Sequence, residues 1–136
     1  MRATAVKALV VRQFGGTQAA PARGMRSPLR QQLLEQILAI IEGALPLVEA
    51  IGRKDRDLSS QLRRALNSIG LKVAEGCGPQ AGNARLRFQS AHGSLYEAQA
   101  ALRLAAAWGY IEKQRCAALV RALDALGGRL FGLSRR

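Results

Sequence analysis

The sequence predicts an all-α protein: an antiparallel up-down-up-down four-helix bundle with a disordered basic N-terminal leader. Three observations carry this. Of 136 residues, 49% are hydrophobic but only 4% aromatic. The apolar mass is mostly Ala and Leu, which favour helices, while the β-branched and aromatic residues that favour strands are sparse. Apolar positions recur at three- and four-residue spacings in four separate runs, each the mark of a helix with a buried face. Short Gly, Pro or charged breaks separate the runs, and short connections make sequential helices antiparallel neighbours. A chain of 136 residues supports one core rather than two.

Residues 1–26 hold five basic side chains (Arg2, Lys7, Arg12, Arg23, Arg26) and no acid, and Gly15, Gly16, Pro21 and Gly24 interrupt any helix. This stretch is expected to be a flexible basic leader. A nucleic-acid arm, a cleaved Arg-rich transit peptide, and a segment upstream of a true start at Met25 are the alternatives for its origin. The bundle is assigned to residues 27–136.

The first helix is expected to start at Ser27-Pro28, a hydroxyl N-cap followed by Pro at the first helical position. Its stripe is Leu33, Leu34, Ile37, Ile40, Ile41, Leu45, Val48 and Ile51, with a kink or break just before Pro46. The second helix runs from about Asp55 to Cys77 on Leu58, Leu62, Ala65, Leu66, Ile69 and Val73, and is closed by Gly76 and Gly78-Pro79. The third spans roughly residues 84–108, carrying Leu86, Phe88, Ala91, Leu95, Ala98, Leu102 and Ala105, before a turn at Trp108-Gly109-Tyr110. The fourth covers about residues 113–133 on Cys116, Leu119, Val120, Leu123, Leu126, Leu130 and Phe131. Gly127-Gly128 weakens its last turns by about 1 kcal/mol per glycine.

Residue chemistry argues against an enzyme. His92 is the single histidine, and no second histidine or carboxylate lies within helical reach, whereas a metal site needs three or four ligands. Ser68 and Gly93-Ser94 lack a base to activate them and read as small residues that allow close helix packing. Gly76, Gly78 and Gly82 are not followed by the Gly-Lys-Ser/Thr of a phosphate loop. Cys77 and Cys116 fall at opposite ends of a bundle whose helices of about 20 residues are roughly 30 Å long, too far for a disulfide within one subunit. No catalytic group, metal or cofactor is expected. With no export signal and no run of about 20 apolar residues to span a bilayer, the cytoplasm is the expected compartment.

Charge is the strongest functional signal. Lys and Arg number 21 against 9 Asp and Glu, a formal net charge of +12. Most are Arg, whose planar fork grips phosphate bidentately. Such an excess points to an anionic partner. The candidate nucleic-acid-binding residues are Arg53, Lys54, Arg56, Arg63, Lys72, Arg87 and Arg103. Centring the second loop near residue 80 pairs Arg64 with Glu97 and Glu75 with Arg85 as structural ion pairs that fix register. Small residues at Ala98, Ala101, Ala105, Ala106 and Ala107 suggest a subunit interface. The aromatics Phe14, Phe88, Tyr96, Trp108, Tyr110 and Phe131 look mostly committed to the core, which disfavours base stacking.

The set Gln61-Leu62-Arg63-Arg64-Ala65, Ser68-Ile69, Ala74-Glu75-Gly76, Phe88, Ala91, Gly93-Ser94, Glu97 and Gly109-Tyr110 resembles a known family. Its members are four-helix bundle proteins encoded in intervening sequences of bacterial large-subunit ribosomal RNA genes. That family is similar to the accessory variability proteins of diversity-generating retroelements. The resemblance covers about residues 30–131. It implies a homopentameric ring with a positively charged surface that binds nucleic acid, and association with a reverse transcriptase. The sequence departs from the family pattern at Lys72, where Asn is common, and at Gly78-Pro79-Gln80-Ala81, where a basic, serine-containing loop is frequent. The expectation is therefore a non-catalytic homo-oligomer, with pentamer the implied state, that binds RNA or DNA backbone through a basic surface. It would serve as an accessory to a reverse transcriptase or other nucleic-acid enzyme. A protein-protein scaffold without a nucleic-acid ligand is the alternative.

Overall fold

A computed structural model describes residues 28–78 and 83–135. The predicted leader at residues 1–26, the cap at Ser27 and most of the second loop lie outside the described residues. Four helices follow in order: α1 (Pro28–Lys54), α2 (Arg56–Gly76), α3 (Ala84–Ala107) and α4 (Lys113–Ser134). Among the described residues there is no strand.

Each helix boundary has a local cause. Pro28 occupies the first position of α1, where a missing N–H costs nothing. A single residue, Asp55, separates α1 from α2: extended at φ −154°, it accepts a hydrogen bond from the Leu58 amide at 2.9 Å and so caps α2. The end of α3 closes on Gly109 at φ 81°, the left-handed conformation that favours glycine. The Gly109 and Tyr110 amides there donate to the Ala106 and Ala105 carbonyls at 3.0 and 2.9 Å, the paired bonds of a Schellman closure.

The expected break at Pro46 does not occur. α1 is continuous through it: a proline removes one helical hydrogen bond, but Ala44, Leu47, Val48 and Ile51 on either side are all buried and hold the turn in place. The core line of α1 is Leu33, Ile37, Ile40, Ala44, Leu47 and Ile51. Ala44 takes the inward position, so Leu45, one residue on and about 100° around the helix, is turned out and is 55% exposed. Leu86 and Phe131, also expected inside, are likewise exposed.

Tertiary contacts run antiparallel between chain neighbours, and a polar contact marks each interface. Ser59 donates to the Val48 carbonyl at 2.9 Å between α2 and α1. The Ser68 and Ser94 hydroxyls share a hydrogen bond of 2.8 Å between α2 and α3. Gln99 of α3 donates to the Asp124 carboxylate at 2.7 Å and to the Val120 carbonyl at 3.1 Å on α4. Arg129 of α4 reaches Gln36 and Gln32 of α1 at 2.8 and 3.1 Å, and burial pushes its pKa down.

The α2–α3 register differs from the one expected. Ser68 and Ser94, like Glu75 and Arg87, are symmetric about position 81 rather than 80. Glu75 therefore pairs with Arg87 at 3.2 Å, and with Lys72 at 3.8 Å, instead of with Arg85. Arg64 and Glu97 line one groove, but among the described residues they form no ion pair, because the shifted register sets Glu97 opposite Ala65. Of the small residues proposed as an interface, Ala98, Ala101 and Ala105 are buried within the single bundle; Ala106 is half-buried and Ala107 exposed.

Two glycines should respond in opposite ways to a methyl group. A Cβ on Gly76 would stand 2.9 Å from the Phe88 ring and 3.3 Å from the Arg87 Cβ, so Gly76→Ala should destabilise by about 1–3 kcal/mol. A Cβ on Gly128 meets open space, so Gly128→Ala should stabilise by about 1 kcal/mol. Thermal melts at one protein concentration should show Tm falling in the first variant and rising by at least about 4 °C in the second.

Candidate nucleic-acid interface

The predicted cationic residues do not form one patch. Arg53 and Lys54 end α1, Arg56 opens α2, and all three are exposed around the one-residue corner at Asp55. Seven residues on, Arg63 is exposed and lines the α1–α2 groove with Leu45 and Glu49. Two turns of α2 place Arg56 and Arg63 on nearly the same face. These four residues form a basic edge at the α1–α2 end. Lys72 and Arg87 lie at the other end of α2, both engaged with Glu75. Their charge is partly satisfied within the molecule. Arg103 is exposed in a third place, the groove between α3 and α4.

That third place holds residues the sequence reading missed. Lys113 and Arg121 line the α3–α4 groove together with Arg103 and Val120, and Tyr96 stands at its other end. The aromatics expected in the core are mostly outside it. Phe88 is buried and Tyr110 half-buried, but Trp108 is 70%, Tyr96 61% and Phe131 53% exposed; Phe14 lies outside the described residues. The signal was present in the spacing: Tyr96, Ala100, Arg103 and Ala107 fall at i, i+4, i+7 and i+11, one strip of α3, and all four are exposed.

The remaining chemistry-bearing residues are His92, the two cysteines and the Ser68–Ser94 pair. His92 is half-buried, packed edge-on to Tyr96 with ring centroids 4.7 Å apart. A Cβ added to Gly127 would lie 3.5 Å from His92 Nε2. Among the described residues no group of three or more His, Cys, Asp or Glu is placed to hold a metal. Cys77 and Cys116 are free thiols. Burial raises the pKa of both, opposed by Arg30 near Cys77 and by Arg103 near Cys116, which keeps them protonated and poorly nucleophilic. Ser94 supports close packing as expected, whereas a Cβ on Gly93 would meet only open space. No helix of the described residues is long and apolar enough to cross a membrane.

Charge on α1 is distributed differently. From residue 31 to 52 its charged side chains are Glu35, Glu42 and Glu49, seven residues apart, with no cation between them. They flank a second apolar stripe in which Leu34 and Ile41 are half-buried and Leu38 and Leu45 exposed. The middle of α1 is thus acidic, and cations gather at its C-terminal corner and in the α3–α4 groove.

Neither a curated protein nor a solved structure matches the chain. The family model described as 23S rRNA-intervening sequence protein matches residues 36–132, from within α1 to the last turn of α4. By that match, which reaches all four helices, the chain belongs to the 23S rRNA-intervening sequence protein family.

Proposed function

We propose that this protein is a non-catalytic, self-associating bundle that binds the phosphate backbone of nucleic acid through its basic surface. The observation that carries the reading is the exposed corner of Arg53, Lys54 and Arg56. Three cations are gathered there within four residues around the Asp55 cap, with Asp57 beside them. Backbone contacts of this kind give affinity without sequence choice. The family's name ties its members to the intervening sequences of 23S rRNA, a context in keeping with a phosphate-binding surface. An accessory role to a reverse transcriptase or another nucleic-acid enzyme in the cytoplasm fits such a protein.

Self-association has its own support. Leu38 and Leu45 project from α1, Leu71 from α2 and Leu86 from α3, all more than half exposed. Exposed apolar side chains on different helices suit a heterologous contact, which closes into a ring when the rotation allows. Five-fold closure is the state that the family resemblance suggests.

Two measurements check this. Light scattering at micromolar concentration should return an oligomer, and a monomer would overturn the ring. In a salt titration with random-sequence duplex, affinity should fall steeply and linearly on a log–log scale. Replacing Arg53, Lys54 and Arg56 together by Ala should make that slope shallower by roughly 2–3, since each lost phosphate contact removes about 0.9. A wider change is expected if several subunits contact one strand. An unchanged slope would move the site off the corner. No binding at low salt would leave the scaffold reading.

A further inference from the structure

We infer that the outer face of α1 in one copy docks into the α3–α4 groove of another, so that Glu35, Glu42 and Glu49 meet Arg103, Lys113 and Arg121. This deepens the self-association proposed above and rests on it, by naming the two surfaces that meet.

The outer face of α1 carries a second helix seam. Leu34, Leu38, Ile41, Leu45 and Val48 recur at alternating steps of four and three, the spacing of a helix that packs along a partner. The line that α1 turns into its own core uses other positions, and Leu38 and Leu45 are left 56% and 55% exposed. At about 100° per residue, Leu38, Leu45, Glu35, Glu42 and Glu49 fall within an arc of about 80°. One face therefore joins two uncovered leucines to three acids. Among the described residues none of these acids forms an ion pair. Three of the nine acids of a chain with net charge +12 are gathered there, so a basic surface of another copy is drawn to this face.

The α3–α4 groove has the complementary character. Arg103, Lys113 and Arg121 line a single groove, over a floor of Ala106, Ala117 and Val120. The three cations are exposed and the floor half-buried. Small apolar side chains between two helices make a trough into which the leucines of a third helix can insert. Lys113 and Arg121 lie about 12 Å apart along α4, against about 10 Å between successive acids of α1, at 1.5 Å per residue. Asp124 lines the neighbouring stretch of the groove, where its carboxylate accepts a hydrogen bond from Gln99 at 2.7 Å.

Charge selects this pairing among the ways two copies could meet. Packing α1 against α1 would set acids against acids, and groove against groove would set cations against cations. No residue of α1 lines the groove of its own subunit, so each copy offers both halves at once and the contact is heterologous. A polyanion in the groove would satisfy the cations but leave Leu38 and Leu45 uncovered. A second copy covers both.

Light scattering of the full-length protein at micromolar concentration tests the pairing. Glu42→Lys with Glu49→Lys sets cations on both faces, and Arg103→Glu with Arg121→Glu sets acids on both. Each pair of substitutions should reduce the oligomer to the 14.6 kDa monomer. A chain carrying all four keeps the net charge of +12 and should return to the wild-type size, because the charges are exchanged rather than lost. All four positions are exposed, so helical circular dichroism should be unchanged throughout, and recovery in the combined chain rules out misfolding as the cause of dissociation. An oligomeric wild type whose size neither pair alters would overturn the pairing and leave self-association to other surfaces. Dissociation by each pair without recovery in the combined chain would also overturn it, since the two faces would not meet each other. If Arg103→Glu with Arg121→Glu stays oligomeric but loses binding to random-sequence duplex at low salt, the groove holds a polyanion and the pairing falls. A monomeric wild type would overturn self-association, and the pairing with it.

Discussion

The close approach of α2 and α3 is the constraint on which the rest of the structure depends. Gly76 abuts the Phe88 ring at a distance that leaves no room for a side chain. Two turns away the Ser68 and Ser94 hydroxyls meet at 2.8 Å. Ala65, Ala98 and Ala101 fill the seam with the smallest side chains that still exclude water. Because the backbones come so near, one register fits, and a slip of a single residue would drive Phe88 into a side chain or part the two serines. That register sets which α2 charges meet α3: it joins Glu75 to Arg87 and leaves Arg64 and Glu97 to share a groove without pairing. It also fixes the rotation of α3, turning the Tyr96–Arg103 strip outward on the α4 side.

The other interfaces use the same device with different groups. Burying apolar Leu and Ile is nearly indifferent to small rotations of a helix, so it stabilises a bundle without choosing among arrangements. Polar groups choose, because a buried donor or acceptor left without a partner costs about 1–3 kcal/mol. Gln99, buried on α3, is satisfied where Asp124 and the Val120 carbonyl stand. Gln36, buried on α1, is satisfied by Arg129, and Ser59 by the Val48 carbonyl. Arg129 is an expensive choice for this role, since burial lowers its pKa, but a guanidinium can hold two amide oxygens at once, tying α1 to α4 across two turns.

The four helices were legible because their ends are written in residues with fixed backbone consequences. Pro28 and the turn at Gly109 each mark a boundary that the structure reproduces, and Asp55, expected as the start of the second helix, is its cap. Their azimuths were less legible. On α1 two apolar stripes run side by side, and choosing Leu45 over Ala44 for the core followed size alone, whereas the bundle needed a small residue there. On α3 the apolar residues reach nearly all round, from Leu86 and Leu104 outside to Leu95 and Leu102 inside, so periodicity gives no unique inward face. The same ambiguity hid the exposed aromatics: in a chain this poor in rings, each looked needed for the core, yet Leu and Ala filled it. Ion pairs were predicted from a loop centre one position off, enough to exchange Arg85 for Arg87. The clustering of the corner cations was legible because the turn that gathers them is local, while Lys113 and Arg121 join Arg103 only through the α3–α4 packing that no local signal encodes.

A uniform excess of positive charge would repel every copy of the protein from every other. The distribution avoids this. α1 presents Glu35, Glu42 and Glu49 beside exposed leucines and carries no cation over that span, so an approaching anionic strand finds it repulsive and a basic protein surface does not. The corner and the α3–α4 groove have the opposite character. Charge-charge forces between exposed groups fade over about 10 Å at 0.1 M salt, so the α3–α4 groove is screened from the α1 acids of its own subunit, whereas Arg63 of the corner stands in one groove with Glu49 and Leu45. The proposed self-association would use the acidic, apolar side and the proposed polyanion contact the basic corner, and the two would meet chiefly at the groove that Arg63 shares with Glu49 and Leu45. The α2–α3 register, by fixing how α3 is turned, holds the Tyr96–Arg103 strip on the α4 side, away from the α1 acids.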